Sequence, residues 1–183
     1  MTVSPYCTIG PYFPASFVDG CDDLTHHRGL VAHGTHITLS GRILQEGGVP
    51  TRNTILEIWQ PDAGGIFRHA SDPRCGQADP GFAGWGRART DAEGRYKIRT
   101  VLPGSYEGRC PHANLMILAI GLTRRLVTTV FFADSPGTVR DPVLDCVTDA
   151  AVRKRLFAKR EISGEYRFDL ILRGENETPF FLD

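Results

Sequence analysis

The sequence predicts an all-β protein: a β-sandwich of mostly antiparallel strands, with an extended N-terminal arm and one short helix. Segments in which apolar and polar residues alternate recur along the chain, as in strands with one buried face. Turns rich in Gly, Pro, Asn and Asp separate these segments, and the 183 residues include 20 glycines and 12 prolines. Only one segment has the period of a helix, so strands dominate the prediction.

The predicted strands follow one another from residue 36 to residue 173. Alternating segments predict strands at 36–43, 54–60, 95–101, 126–132 and 166–173. The segment 113–122 is apolar on both faces, which is typical of a central buried strand. The residues that its period of two places on one face are His112, Asn114, Met116 and Leu118.

The predicted helix covers 148–160, where Val152 and Leu156 lie four residues apart and cations end the last turn. Residues 1–33 have no clear period, and the prolines of the PYFP stretch at 11–14 cannot continue a helix. Because this stretch is apolar and aromatic, we expect it to pack against something rather than stay disordered. The chain is therefore divided into an arm, residues 1–33, that packs on a partner chain, and a sandwich domain, residues 34–183.

Composition excludes several function classes. Lys and Arg number 21, as do Asp and Glu, and a net charge of zero argues against binding to nucleic acid or to a membrane surface. The sequence has no apolar run of about 18 residues and no signal-like N-terminus, so we expect a soluble, cytoplasmic protein. Its five cysteines form no C-x-x-C pair, which argues against a structural zinc site or a disulfide framework.

A series of motifs occurs in order along the chain. They are LSGRI at 39–43 with Gly48, LEIWQ at 56–60 with GIF at 65–67, DPGF at 79–82 with GWGR at 84–87, TD at 90–91 with Gly94, PG at 103–104, PH at 111–112 and FF at 131–132. This series resembles the signature of the intradiol ring-cleavage dioxygenase family over nearly the whole chain. Thr51 is the one departure from the first signature, because the family pattern prefers an aliphatic residue there.

The two ends of the chain resemble one branch of that family, the alpha-type subunits of protocatechuate 3,4-dioxygenases. The ending RGENETPFF at 173–181 is similar to theirs, and TIGPY at 8–12 resembles their arm. The resemblance implies a chain that assembles with an iron-bearing beta-type subunit. The complex is expected to cleave protocatechuate with O2 between its hydroxyl-bearing carbons, which gives 3-carboxy-cis,cis-muconate in the beta-ketoadipate route of aromatic catabolism.

The resemblance also implies which residues matter. Catalytic chains of the family hold Fe(III) with two tyrosinates and two histidines, the latter as His-x-His. The matching positions here are Arg74, Tyr106, His112 and Asn114. A guanidinium repels a trivalent cation, and an amide oxygen is a poor substitute for imidazole. The resemblance therefore implies no catalytic residue and no metal in this chain, with Fe(III) on the partner.

The contribution that the resemblance assigns to this chain is substrate binding by its arm. The arm residues expected to line the partner's pocket are Thr8, Gly10, Pro11 and Tyr12. Ile120 stands where alpha-type chains tend to place Arg, so the missing cation is expected to alter substrate choice or affinity.

Other interpretations stay open. His112 can be a hydrogen-bonded core histidine and Tyr106 a packed aromatic, while Cys75 beside Arg74 is a conceivable thiolate ligand. The cluster of His26, His27, His33 and His36 is interpreted as surface histidines, and the basic run 153–155 as a solvated helix face. Two other function classes remain: a self-sufficient homo-oligomeric dioxygenase with an unusual iron site, and a non-enzymatic β-sandwich binding module.

Overall fold

The computed structural model describes residues 13–132, 140–161 and 164–181. Its strands are β1 (His26–His27), β2 (Leu30–Val31), β3 (His36–Leu44), β4 (Ile55–Trp59), β5 (Trp85–Arg89), β6 (Arg95–Val101), β7 (His112–Leu118), β8 (Leu126–Phe131), β9 (Lys159–Arg160), β10 (Glu165–Arg167) and β11 (Leu170–Ile171). Its helices are α1 (Pro142–Asp145) and α2 (Ala150–Arg153), and 3-10 turns lie at Ala15–Phe17, Glu46–Gly48, Cys75–Gln77 and Lys154–Leu156. The predicted all-β class is confirmed.

Two sheets form the body of the molecule. In one sheet, β3 pairs with β6 on one side and with β10 and β11 on the other, and β9 lies beyond β10. The other sheet has the order β5-β4-β7-β8, and all of its pairs are antiparallel. The prediction of mostly antiparallel strands is confirmed, and the exceptions are β10 and β11, which run parallel to β3.

The core lies between these sheets and explains the period of β7. Leu39 and Ile98 of one sheet join Leu56, Leu115 and Ile117 of the other in one cluster, and each is fully buried. The alternate residues of β7 lie on its other face, as predicted: His112, Asn114, Met116 and Leu118. This face of β7 therefore carries His112 and Asn114, two of the four positions that match iron ligands in the family.

Two strand predictions need correction, and one strand was missed. The strand predicted at 113–122 ends at Leu118, because residues 119–122 form a turn in which Gly121 has a left-handed φ of 85°. The predicted strand 166–173 is interrupted at Phe168, whose carbonyl oxygen accepts a hydrogen bond from the Tyr96 hydroxyl at 2.5 Å. A Cβ at Gly41 would overlap that same carbonyl, so only glycine allows the two segments to approach this closely. Strand β5 was not predicted because its buried face consists of Gly86 and Ala88, which give no apolar signal.

The predicted helix at 148–160 is correct only at its start. Asp149 caps α2 by accepting hydrogen bonds from the amides of Ala151 and Val152. The segment then tightens into a 3-10 turn, and Lys159–Arg160 form β9 instead of a last helical turn. The reason is tertiary: Leu156 and Phe157 are buried against Phe131 and Leu144, and β10 pairs with the residues that follow.

The predicted arm is described from Phe13 onward, and much of that part packs on the chain's own sandwich. Leu24 is fully buried and its amide donates to the carbonyl of Arg99 at 2.8 Å. The hairpin of β1 and β2 also lies within the predicted arm. Thr8, Gly10, Pro11 and Tyr12 lie outside the described residues, so packing of the arm on a partner stays a prediction. In the part of the chain that is described, no helix is long and apolar enough to cross a membrane.

Candidate functional site

A tight turn brings together two of the four positions singled out from the sequence. The amide of Arg109 donates to the carbonyl of Tyr106 at 2.7 Å, and Glu107 and Gly108 between them have left-handed φ angles of 45° and 77°. This turn precedes β7, which begins at His112. As a result, the Tyr106 hydroxyl lies 3.5 Å from Nε2 of His112, with ring centroids 5.4 Å apart.

The contacts of His112 define its protonation state. Its side chain is buried, and Nδ1 lies 2.7 Å from the carbonyl oxygen of Cys110, so Nδ1 carries the proton and donates it. Burial lowers the pKa of His112, which keeps the ring neutral. Burial raises the pKa of Tyr106, so a neutral phenol faces the Nε2 lone pair. These are the contacts of a hydrogen-bonded core histidine.

A buried ion pair anchors this turn to α1. The fully buried carboxylate of Asp141 accepts from Nε of Arg109 at 2.8 Å and from the amides of Cys110 and Val143 at 2.9 Å each. Burial alone would raise the pKa of Asp141, but hydrogen bonds from Arg109 and these amides hold it below its usual range. This pair could not be predicted from the sequence, because its members are 32 residues apart. The sequence does contain one indication of the role of Asp141, since an Asp directly before a Pro is typical of the start of a helix.

The third position, Arg74, is held by a loop that packs just before the same turn. Its guanidinium donates to the carbonyl of Gly65 at 2.8 Å and to the carboxylate of Asp72 at 3.3 Å. Gly65 in turn contacts the backbone of Ser105, where a Cβ would overlap the carbonyl oxygen. The side chain of Arg74 is 40% exposed, so its positive charge is only partly shielded. The loop that holds this cation is therefore packed on the segment that carries Tyr106.

The fourth position, Asn114, is directed toward a neighbouring strand. It lies on the same face of β7 as His112, and its amide oxygen accepts a hydrogen bond from the Thr129 hydroxyl of β8 at 3.0 Å. Cys75 is exposed at the start of a 3-10 turn. Among residues 13–132, 140–161 and 164–181, no cluster of three or more His, Cys, Asp or Glu side chains could hold a metal ion.

An aromatic cavity of about 250 Å³ opens next to Tyr106. Phe67 meets Tyr106 edge to face at 4.9 Å between ring centroids, and Trp59 meets His69 at 5.3 Å. Asp72 and Glu107 also line the cavity. The sequence motifs contained Trp59 and Phe67, but nothing in their spacing indicated that they share a cavity with Tyr106.

Comparison with known proteins agrees with the fold and the motifs. The family model described as dioxygenase matches residues 8–174. The protocatechuate 3,4-dioxygenase beta chain of Burkholderia cepacia is 38% identical over an alignment of 160 positions, which covers 80% of this chain and 68% of that protein. The alpha chain of the same organism is 32% identical over an alignment of 193 positions, which covers 97% of this chain and 96% of that protein.

A solved structure shares the fold. The intradiol ring-cleavage dioxygenase from Tetranychus urticae superimposes with a TM-score of 0.61 at 20% identity, covering 93% of this chain and 94% of that one. The family match extends over nearly the whole sequence, and relatives above 30% identity match most of it. The chain belongs to the intradiol ring-cleavage dioxygenase family.

Proposed function

We propose that this chain is the alpha-type, non-iron-binding subunit of a protocatechuate 3,4-dioxygenase and that it acts together with an iron-bearing beta-type subunit. The complex cleaves protocatechuate with O2 between the hydroxyl-bearing carbons and releases 3-carboxy-cis,cis-muconate. The observation that carries the proposal is the residue set at the four ligand positions. Only Tyr106 and His112 are ligand types that iron(III) uses in this family.

The chemistry of these residues does not fit iron(III), the metal that intradiol dioxygenases generally use. Only Tyr106 and His112 keep a ligand type of the family, and the Tyr106 hydroxyl lies 3.5 Å from Nε2 of His112. Asn114 offers a neutral amide oxygen that already accepts a hydrogen bond from Thr129. Arg74 adds a fixed positive charge to the same region. We therefore assign no step of ring cleavage to a residue of this chain.

Both the alpha and the beta chain of Burkholderia cepacia are similar to this chain. The residue types at the four ligand positions, rather than overall identity, support the alpha-type assignment. Identity to the beta chain is higher, at 38% against 32%. Overall identity is dominated by residues that maintain the shared fold, whereas iron binding depends on four positions, so we give those positions more weight.

In this proposal, the chain contributes Thr8, Gly10, Pro11 and Tyr12 to the partner's substrate pocket. An anchor just after these residues supports that role. Arg89 donates to the carbonyl oxygens of Phe13 and Pro14 at 2.9 and 3.1 Å. Phe13 and Pro14, which directly follow the proposed binding residues, are therefore held against β5 at the edge of its sheet.

Coexpression with a beta-type chain that carries two tyrosines and a His-x-His motif tests the proposal. We expect the two chains to copurify, with O2 uptake and loss of protocatechuate in the complex and none with this chain alone. As a control, Tyr106→Phe in this chain should leave the activity of the complex unchanged. Activity of the chain alone that is lost in Tyr106→Phe would support a self-sufficient enzyme. Failure to copurify would support a separate binding module.

Deleting residues 1–12 tests the role of the arm. We expect the KM of the complex for protocatechuate to rise roughly 30-fold, because an aromatic anchor at an interface commonly contributes about 2 kcal/mol. Deleting only residues 1–6 is the matched control, since it keeps the TIGPY segment, and it should leave KM unchanged. Equal KM values for both deletions and the full chain would contradict the role of this segment.

A further inference from the structure

A cavity of about 570 Å³ lies between the segment 154–159 and strands β10 and β11. Its volume is within the range of small-molecule sites in proteins. Phe157 and Phe168, which are 7% and 3% exposed, contribute its buried apolar floor, while its charged side chains are more exposed. None of the residues that line the aromatic cavity at Tyr106 lines this one. It is therefore separate from the site that the family motifs define.

The charge of this second cavity differs from that of the chain as a whole. Its ionisable lining residues are Lys154, Arg155, Lys159, Arg167, Glu161 and Asp169. Four cations and two carboxylates give a formal charge of +2, in a chain whose net charge is zero. Asp169 is already paired with Arg167 at 3.1 Å. Two of the chain's three lysines line this cavity.

The basic run 153–155 was interpreted from the sequence as a solvated helix face, but its three side chains have different surroundings in the structure. Arg153 donates to the carbonyl of Val147 at 2.9 Å, and Arg155 donates to the carbonyl of Glu177 at 3.1 Å. Both guanidiniums are therefore hydrogen-bonded to backbone carbonyl oxygens of neighbouring segments. Lys154 and Arg155 also line the cavity. The interpretation as a uniform solvated face is corrected, because the 3-10 turn directs these side chains to different surroundings.

Polar groups complete the lining. Thr178 is 2% exposed, and its hydroxyl oxygen accepts from the amide of Ile171 at 2.9 Å, so the hydroxyl proton points elsewhere. Asn176 adds an amide at the surface. Cations and neutral donors around an aromatic floor suit a ligand with an anionic end and an apolar body. We propose that this cavity binds a small organic anion, with one or two carboxylates on a body of about the size of a benzene ring.

The three lysines permit a direct test on the full chain. Reductive dimethylation with 13C-labelled methyl groups keeps the positive charge of each lysine and gives one NMR signal per lysine. The variants Lys97→Gln, Lys154→Gln and Lys159→Gln each remove one signal and thereby assign it. Phthalate is the probe, benzamide its neutral counterpart and sulfate an anion without an apolar body. We expect phthalate to shift the signals of Lys154 and Lys159 saturably, while Lys97 stays unchanged. Benzamide and sulfate should each bind at least about tenfold more weakly, which is 1.4 kcal/mol.

The lysine variants provide the second arm of the test. Lys154→Gln and Lys159→Gln should each weaken phthalate binding several-fold, whereas Lys97→Gln, in a neighbouring cavity, should not. Equal shifts of all three lysines, or equal binding of phthalate and sulfate, would overturn the proposal in favour of general ionic screening. Loss of the phthalate response when a beta-type chain is bound would also overturn it, because the cavity would then be a protein interface.

Discussion

The chain purified without a partner is expected to contain no stoichiometric iron and to show no visible tyrosinate-to-iron absorption. A mononuclear Fe(III) site in this family uses two phenolates and two imidazoles, and only Tyr106 and His112 occupy matching positions. Arg74 places a guanidinium, paired with the Asp72 carboxylate and 40% exposed, where the family has an anionic phenolate. Asn114 offers a neutral amide oxygen where the family has an imidazole, so neither position supplies a ligand that suits Fe(III).

Metal analysis and a visible spectrum of the chain, expressed with excess iron, measure this directly. The double variant Arg74→Tyr with Asn114→His supplies four donors of the family's types and is expected to gain iron and colour. Arg74→Gln with the native Asn114 is the matched control, since it removes the cation without adding a ligand, and it should gain neither. One iron per unmodified chain, with a band that disappears in Tyr106→Phe, would contradict the subunit proposal.

Substitution of Asp141 by Asn is expected to lower the free energy of unfolding by about 3–5 kcal/mol, because it leaves the guanidinium of Arg109 without its buried counter-charge. The native carboxylate is fully buried and also accepts hydrogen bonds from the amides of Cys110 and Val143. For a chain of this size, the melting temperature should fall by about 10 °C. Thermal and urea unfolding followed by circular dichroism measure both quantities.

The control is Asp169→Asn, at the exposed pair of Arg167 and Asp169, where the two side chains are 46% and 36% exposed. Exposed pairs contribute about 1 kcal/mol or less, so this variant should unfold almost as the native chain does. Equal losses in the two variants would show that the buried pair has no special role in holding the turn at Tyr106.

The same ion pair predicts a pH dependence. The pKa of Asp141 is lower in the folded chain than its ordinary value of about 3.9 in an unfolded chain. Above about pH 4, the carboxylate is ionised in both states and its stabilisation is fully present. As pH falls through the lower folded pKa, the folded state binds the proton too and this contribution is lost. Asp141→Asn should lack that part of the acid-dependent decrease, which urea unfolding between pH 3 and pH 7 measures.

The fold class, the family and the residue types at the four ligand positions could all be predicted from the amino-acid sequence. Strands β3 and β6 were predictable because each buries one face, and period-two burial is visible in a single segment. Strand β7 was predictable because its segment is a continuous apolar run. Arg74 and Asn114 were identifiable at ligand positions because the motifs around them keep the family's spacing. These are local features, and no information about distant contacts is needed to find them.

The contacts on which the site depends could be identified only from the three-dimensional fold. The pairing of Arg109 with Asp141 and of Asn114 with Thr129 joins residues 32 and 15 positions apart, and neither pair has a fixed spacing that a sequence could reveal. The helix ended early because Leu156 was buried against other elements and β10 paired with the residues that follow. Packing and strand pairing act between segments that are remote in sequence, and they outweigh the weak local preferences for helix or strand.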